Sequence, residues 1–181
     1  MSRTNRTRYT ILGCLTVEPM SGYDVKRFVD ESVSHFWNES YGQIYPTLKA
    51  LEREGKIEGH REPGERGPDR IVYEITDAGR DELAEWLREP AEPETARYEH
   101  SLKIFFGHVV GPADTLEHVE RLRRRTRHSL EDFREAEKEL EASDAPWAPY
   151  WLVVLRGGLR YSEMVLRWCD ETEADLRTLT G

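Results

Sequence analysis

Gly42-Gln43-Ile44-Tyr45-Pro46-Thr47-Leu48-Lys49-Ala50-Leu51-Glu52-Arg53-Glu54-Gly55-Lys56-Ile57 is the stretch on which the fold turns. Ile44, Leu48 and Leu51 recur at helical spacing, which predicts a helix over about residues 41–54 with that stripe inward. Ser40, three residues before Gln43, supplies an N-terminal capping signal, and Gly55 supplies the stop. The opposite face then carries Gly42, Gln43, Pro46, Lys49 and Arg53, with Tyr45 on its flank. Pro46 lacks the N–H that would bond the Gly42 carbonyl, so the first turn is expected to be loosened. That costs stability without a local benefit.

The flanking segments place this helix third. Ile11, Leu12 and Leu15 form a short first helix that Glu18-Pro19 stops. Ser21-Gly22-Tyr23-Asp24 reads as a capping box that opens a second helix, with Val25, Phe28 and Val29 inward, as far as about Val33. After Gly55 the period shortens to 2. Ile57 to Arg61 and Ile71 to Ile75 read as two strands around the turn-rich Pro63-Gly64-Glu65-Arg66-Gly67-Pro68-Asp69, a hairpin with a long charged tip. Thr76 caps a further helix from Asp77 to about Arg88, with Leu83, Trp86 and Leu87 inward. Pro90-Ala91-Glu92-Pro93-Glu94 reads as a stiff linker. The expected division is 1–90 for a winged helix-turn-helix DNA-binding domain and 91–181 for an all-helical dimerisation domain, so the fold class is mainly α with a small β-wing.

The second half reads as helices over about 97–109, 113–142 and 146–176, separated by Gly111-Pro112 and Ser143-Asp144-Ala145-Pro146. In the last of these, Trp147, Trp151, Val154, Gly158, Tyr161, Val165 and Trp168 fall at heptad spacing. A helix of about 30 residues is about 45 Å long, so such a seam needs a partner helix. A second copy of the chain supplies one, with part of the seam open to cover by Leu116, Val119, Leu122, Leu130, Phe133 and Leu140 of the preceding helix. Gly157 and Gly158 mark the seam's midpoint as a crossing point, where a neighbouring backbone must come close.

Three motifs are more specific than the element order: Ser21-Gly22-Tyr23-Asp24, the run from Gly42 to Ile57, and Arg66-Gly67-Pro68-Asp69-Arg70-Ile71-Val72-Tyr73-Glu74-Ile75-Thr76-Asp77-Ala78-Gly79-Arg80. They resemble the PadR family of transcriptional regulators over residues 9–88. In layout, the helical remainder looks like the longer C-terminal domain of the subfamily that includes virulence-gene activators. The resemblance implies a homodimer on a pseudo-palindromic duplex operator, with Gln43, Tyr45 and Lys49 as DNA contacts and Arg66 and Arg70 as wing arginines. The residues themselves suit those roles. Gln43 can pair bidentately with adenine, while Lys49, Arg53 and the hydroxyls of Tyr41 and Tyr45 suit phosphates. The alternative is an ordinary solvated helix face and a salt-bridged wing, since Arg61, Arg66 and Arg70 are balanced by Glu62, Glu65 and Asp69. Family members also sense small apolar or aromatic effectors, and Phe105, Phe106, Trp147, Tyr150, Trp151, Tyr161 and Trp168 either line such a site or pack in the seam.

Composition sets the bounds. The chain has 181 residues and a net charge of −9, which opposes indiscriminate coating of nucleic acid but permits a local basic surface. No run approaches the roughly 20 apolar residues of a membrane span and no signal peptide is legible, so a cytoplasmic location is expected. Cys14 and Cys169 form no CxxC, and His100, His108, His118 and His128 never fall four apart, so neither metal nor cofactor is expected. Arg121-Leu122-Arg123-Arg124-Arg125-Thr126-Arg127 lies among Glu117, Glu120, Glu131 and Asp132, and reads as a solvated, salt-bridged face. No nucleophile and base are paired in any catalytic pattern. The reading is a DNA-binding repressor that is not an enzyme; its rival is a winged-helix scaffold for another protein that leaves DNA untouched.

Overall fold

The computed structural model describes residues 6–32, 37, 41–63, 70–93 and 97–179. The Ser40 capping signal and the wing tip with Arg66 lie outside them, as does the side chain of Tyr41. The chain divides into two compact units, Met1–Pro93 and Glu94–Gly181.

In the first unit α1 (Arg6–Cys14), β1 (Met20–Ser21), α2 (Gly22–Ser32), α3 (Tyr41–Arg53), β2 (Ile57–Glu62), β3 (Arg70–Ile75) and α4 (Asp77–Arg88) follow in chain order. Ile11, Leu12, Leu15, Val25, Val29, Ile44, Leu48, Leu51, Ile57, Tyr73 and Leu83 form one core. The capping box forms as its sequence dictates. The Ser21 N–H donates to Asp24 Oδ2 and the Asp24 N–H to Ser21 Oγ, both at 3.2 Å. α3 ends in a Schellman turn: Lys56 N–H donates to the Leu51 carbonyl at 2.9 Å and Gly55 N–H to Glu52 at 3.0 Å. Gly55 sits at φ +69°, a conformation that glycine adopts without strain. Thr76 Oγ1 accepts from the Gly79 N–H at 3.1 Å and starts α4.

The wing differs from the two-stranded expectation. Its sheet has three antiparallel strands in the order β1-β3-β2, because Met20 pairs with Tyr73 and Ser21 with Val72. Two residues are too few to show a period, and Ser21 was already assigned to a cap. β2 and β3 run in register from Ile57 opposite Ile75 to Glu62 opposite Arg70.

The second unit is helical: α5 (Glu99–Phe105), a single 3-10 turn (Gly107–Val109), α6 (Pro112–Glu141) and α7 (Ala148–Thr178). α6 and α7 pack antiparallel. Arg156 near the start of α7 pairs with Glu137 and Glu141 near the end of α6, while Arg123 in the first half of α6 reaches Asp170 and Glu173 near the end of α7. Val119, Leu122, Val165 and Cys169 form the buried centre, flanked by Ile104, Trp168 and Leu176. The arginine run is therefore not wholly a solvated face. Arg121 and Arg124 do pair along the surface with Glu117 and Glu120, but Arg123 turns inward and spans both helices. No described helix is long and apolar enough to cross a membrane.

One charge cluster ties the first unit together. Arg8 of α1 pairs with Glu54 at 2.7 Å and with Glu82 of α4, and Glu82 also meets Lys56 at 3.1 Å. The Arg8 hydrogen bond holds the Glu82 carboxyl below its usual range against the opposing effect of burial, and Lys56 adds to the lowering. Because the folded value is depressed, Glu82 stabilises the fold above the ordinary glutamate value near 4.3, and that stability is lost as pH falls through the lower folded value. In urea denaturation, Glu82→Gln should lower the midpoint at pH 7 and flatten its decline below about pH 4.3. An unchanged acid slope would place the acid sensitivity elsewhere.

Candidate nucleic-acid interface

The amphipathic pattern of α3 decides what it shows to water. Ile44, Thr47, Leu48 and Leu51 are buried, which leaves Gly42, Gln43, Tyr45, Pro46, Lys49, Glu52 and Arg53 exposed. The helix runs unbroken through Pro46. Gln43, Lys49 and Arg53 make no hydrogen bond or ion pair among the described residues. They thus present one amide and two cations, all uncommitted, on the same side of a buried-backed helix. Nothing in their pattern forms a catalytic pair, and among the described residues no group of three or more His, Cys, Asp or Glu side chains could hold a metal ion.

Tyr45 is placed by a glycine. A Cβ at Gly22, the first residue of α2, would lie 2.6 Å from Tyr45 Cε1 and 3.2 Å from Leu48 Cδ1. Only a residue without a side chain lets the ring rest on the start of α2. The ring remains 58% exposed, so its seat fixes a direction rather than burying the tyrosine.

In the wing, Arg70 is exposed but engaged. Its Nη2 lies 3.0 Å from Glu62 Oε2 and its Nη1 lies 3.4 Å from Asp24 Oδ2. Arg61, at the far end of β2, is exposed and has no ion pair among the described residues. By strand alternation it shares the face of Gly59 and Ile57, opposite Ile71. In the sequence Arg61 is one more charge balanced by the wing's carboxylates; the position of the ladder relative to the core is what singles it out.

The seven seam residues, Trp147 just before α7 and six within it, do not share one free face. Val165 is buried against α6 and Trp168 packs beside it. Gly158 faces Phe133, whose ring atoms would stand 3.1 and 3.2 Å from a Cβ there, so the close approach at this glycine is made by a side chain of the same protomer. Trp147 and Trp151 stack with centroids 3.9 Å apart, while Val154 and Tyr161 are exposed. The residues that do line up outward are Tyr150, Val153, Val154, Gly157, Tyr161 and Met164, and Val153 is 72% exposed. Val154 and Tyr161 are the seam residues that this outward row contains. Of the remaining aromatics, Phe105 and Phe106 meet edge to face at 5.0 Å and are largely exposed. Cys14 is buried, which pushes its thiol up to about 12 and leaves it unreactive.

Comparison with known proteins places both units. Residues 11–85 match the transcriptional regulator PadR-like family, and residues 96–177 match the virulence activator alpha C-terminal family. A probable transcriptional regulator of Mycobacterium tuberculosis is 30% identical, over 93% of this chain and 96% of its own length. The negative transcriptional regulator PadR of Bacillus subtilis is 31% identical over 77% of each chain. Among solved structures, Bacillus subtilis PadR in complex with operator DNA superposes with a TM-score of 0.81 at 28% identity, covering 93% of this chain and 98% of that one. The same protein in complex with p-coumaric acid gives 0.74 at 28% identity, covering 94% and 98%. The Vibrio cholerae virulence activator AphA gives 0.73 at 26% identity, covering 95% and 98%.

The seat of Tyr45 is testable apart from any ligand. Gly22→Ala should displace the exposed ring into water, and because the buried Leu48 methyl 3.2 Å away must also give slightly, the stability loss should be about 1 kcal/mol. Nuclear Overhauser contacts between the Tyr45 ring and the α-proton of residue 22 should disappear. Persistence of those contacts would show that α2 shifts instead.

Proposed function

Because the chain belongs to the PadR-like family of transcriptional regulators, we propose that it is a sequence-specific DNA-binding repressor that acts as a homodimer in the cytoplasm. The observation that carries this reading is the uncommitted face of α3. A helix that is backed by core and shows Gln43, Lys49 and Arg53 without partners among the described residues is built to meet something polar and anionic. In this reading α3 enters the major groove, where Gln43 reads adenine and Lys49, Arg53, Tyr45 and Tyr41 hold phosphates. The wing follows the backbone with Arg66 and Arg70, and Arg61 joins them. The operator-bound relative supports the docking, and the relative's description as a negative regulator supports repression.

Dimerisation rests on the outward stripe of α7. Tyr150, Val153, Val154, Tyr161 and Met164 expose a continuous apolar row on a helix of 31 residues, more than isolated surface residues would present. A second copy covers such a row with its own, and a twofold pair of reading helices then suits a pseudo-palindromic operator. For the effector we take a small aromatic acid, the class of the p-coumaric acid bound by the relative, with the rings of the second unit as its apolar contacts.

The test is fluorescence anisotropy with the DNA upstream of the protein's own gene. Gln43→Ala should cost about 1–3 kcal/mol of discrimination against a scrambled fragment, whereas Lys49→Ala should weaken both fragments alike and reduce the salt slope by about one. Wild-type affinity in the double variant would favour the protein scaffold instead. Val153→Glu combined with Met164→Glu should give a monomer by sedimentation, with helicity retained because both side chains are already in water. Specific binding should fall with it. A persistent dimer would move the interface off this stripe.

A further inference from the structure

Asp24 has more partners than a capping residue requires. Its Oδ2 accepts from the Ser21 backbone N–H at 3.2 Å and from the Ser21 hydroxyl at 2.7 Å, and also lies 3.4 Å from Arg70 Nη1. Its Oδ1 lies 3.4 Å from Arg27 Nη2. Burial works against the charge, but the Ser21 hydrogen bonds, Arg27 and Arg70 together hold the carboxyl below its ordinary range. On the other side of Arg70, Glu62 is its cross-strand partner and pairs at 3.0 Å. The guanidinium therefore sits between two carboxylates presented by different elements, α2 and β2, and remains half exposed. Ser21 fixes Asp24, so this carboxylate cannot follow the arginine if the wing moves.

We propose that Asp24 is a positioning residue for the wing, holding the Arg70 guanidinium in its carboxylate pair until a DNA phosphate takes the carboxylate's place. The inference rests on the reading of Arg70 as a wing contact. A phosphate offers the planar fork the same acceptor geometry as a carboxylate, so the arginine is pre-oriented for the exchange. The exchange also has a cost. Arg70 must leave Asp24, and an ion pair this exposed is worth at most about a factor of five. Asp24 thereby tempers the attraction of the wing for any duplex and leaves discrimination to α3.

The experiment is a double-mutant cycle with the full chain and a mixed-sequence 30-base-pair duplex at low salt. Asp24→Asn keeps an acceptor for Ser21 while removing the charge, and should tighten binding about two- to fivefold. In an Arg70→Ala background the same substitution should change affinity by less than a factor of about 1.7, roughly the resolution of such cycles. Simple relief of repulsion between Asp24 and phosphate would tighten both backgrounds equally, and that outcome overturns the proposal. Glu62→Gln should act in the same direction as Asp24→Asn and also lose its effect without Arg70, which keeps the test open if Asp24→Asn unfolds. If Arg70→Ala weakens binding but neither carboxylate variant changes it, the role of Asp24 fails and the wing contact stands. If Arg70→Ala leaves binding unchanged, both fall.

Discussion

Ile44, Leu48 and Leu51 leave water almost completely when α3 packs on α1 and α2, and a helix can bury one such stripe only by turning the opposite side out. Each side chain contributes about 1.5–3 kcal/mol on burial, so the three together contribute about 5–9 kcal/mol. An internal proline costs a helix about 3 kcal/mol, less than this burial contributes, so α3 continues through Pro46 instead of breaking there. Everything on the exposed side is placed by this one packing decision. Gln43, Lys49 and Arg53 project together because Ile44, Leu48 and Leu51 cannot, and Tyr45 leans on Gly22 because the same packing draws the start of α2 beneath it.

Charge in this protein is used in two different ways. Where an ionic side chain joins elements, it is partly or wholly enclosed and has several partners: Arg8 with Glu54 and Glu82, Arg123 with Glu120, Asp170 and Glu173. The Arg123 Nε is buried without a hydrogen-bond partner, so this arginine holds the helices in one register at some cost in desolvation. An open cleft of about 280 Å³ beside it is lined by Leu116, Val119, Glu120, Arg123, Glu173 and Arg177, whose charges largely satisfy one another. On α3, Lys49 and Arg53 have no partner among the described residues. A net charge of −9 does not contradict a DNA-facing surface when the acidic residues are committed elsewhere or lie on other faces.

What could be read from the sequence followed from local rules. The Ser21 capping box, the Thr76 cap and the Gly55 stop each depend on a few adjacent residues, and each formed where the pattern put it. The exposed face of α3 was legible for the same reason, because three apolar residues at helical spacing leave little freedom. The features that escaped all depend on distant partners. β1 is two residues long and exists only because β3 lies beside it. Arg123 looks like any other arginine in its run until α7 brings Asp170 and Glu173 to it. Tyr45 and Gly22 are separated by 23 positions, so nothing local signals their contact.

The last helix shows how far spacing alone carries an argument. Heptad spacing selects a stripe but not which neighbour covers it, and α7 has apolar residues on two adjacent stripes. The inner one, with Leu159, Val165 and Cys169 and the small buried Ser162 among them, is covered by α6. The outer one, from Tyr150 to Met164, is not covered within its own unit. The two adjacent glycines separate these roles, since each costs a helix interior about 1 kcal/mol relative to alanine and so needs its own reason. Gly158 has one in the ring of Phe133. Gly157 has open space where its side chain would be and sits midway along the outer stripe. In the proposed dimer that is where two copies of α7 would cross, and a missing side chain at the crossing lets the backbones approach without disturbing the packing on α6.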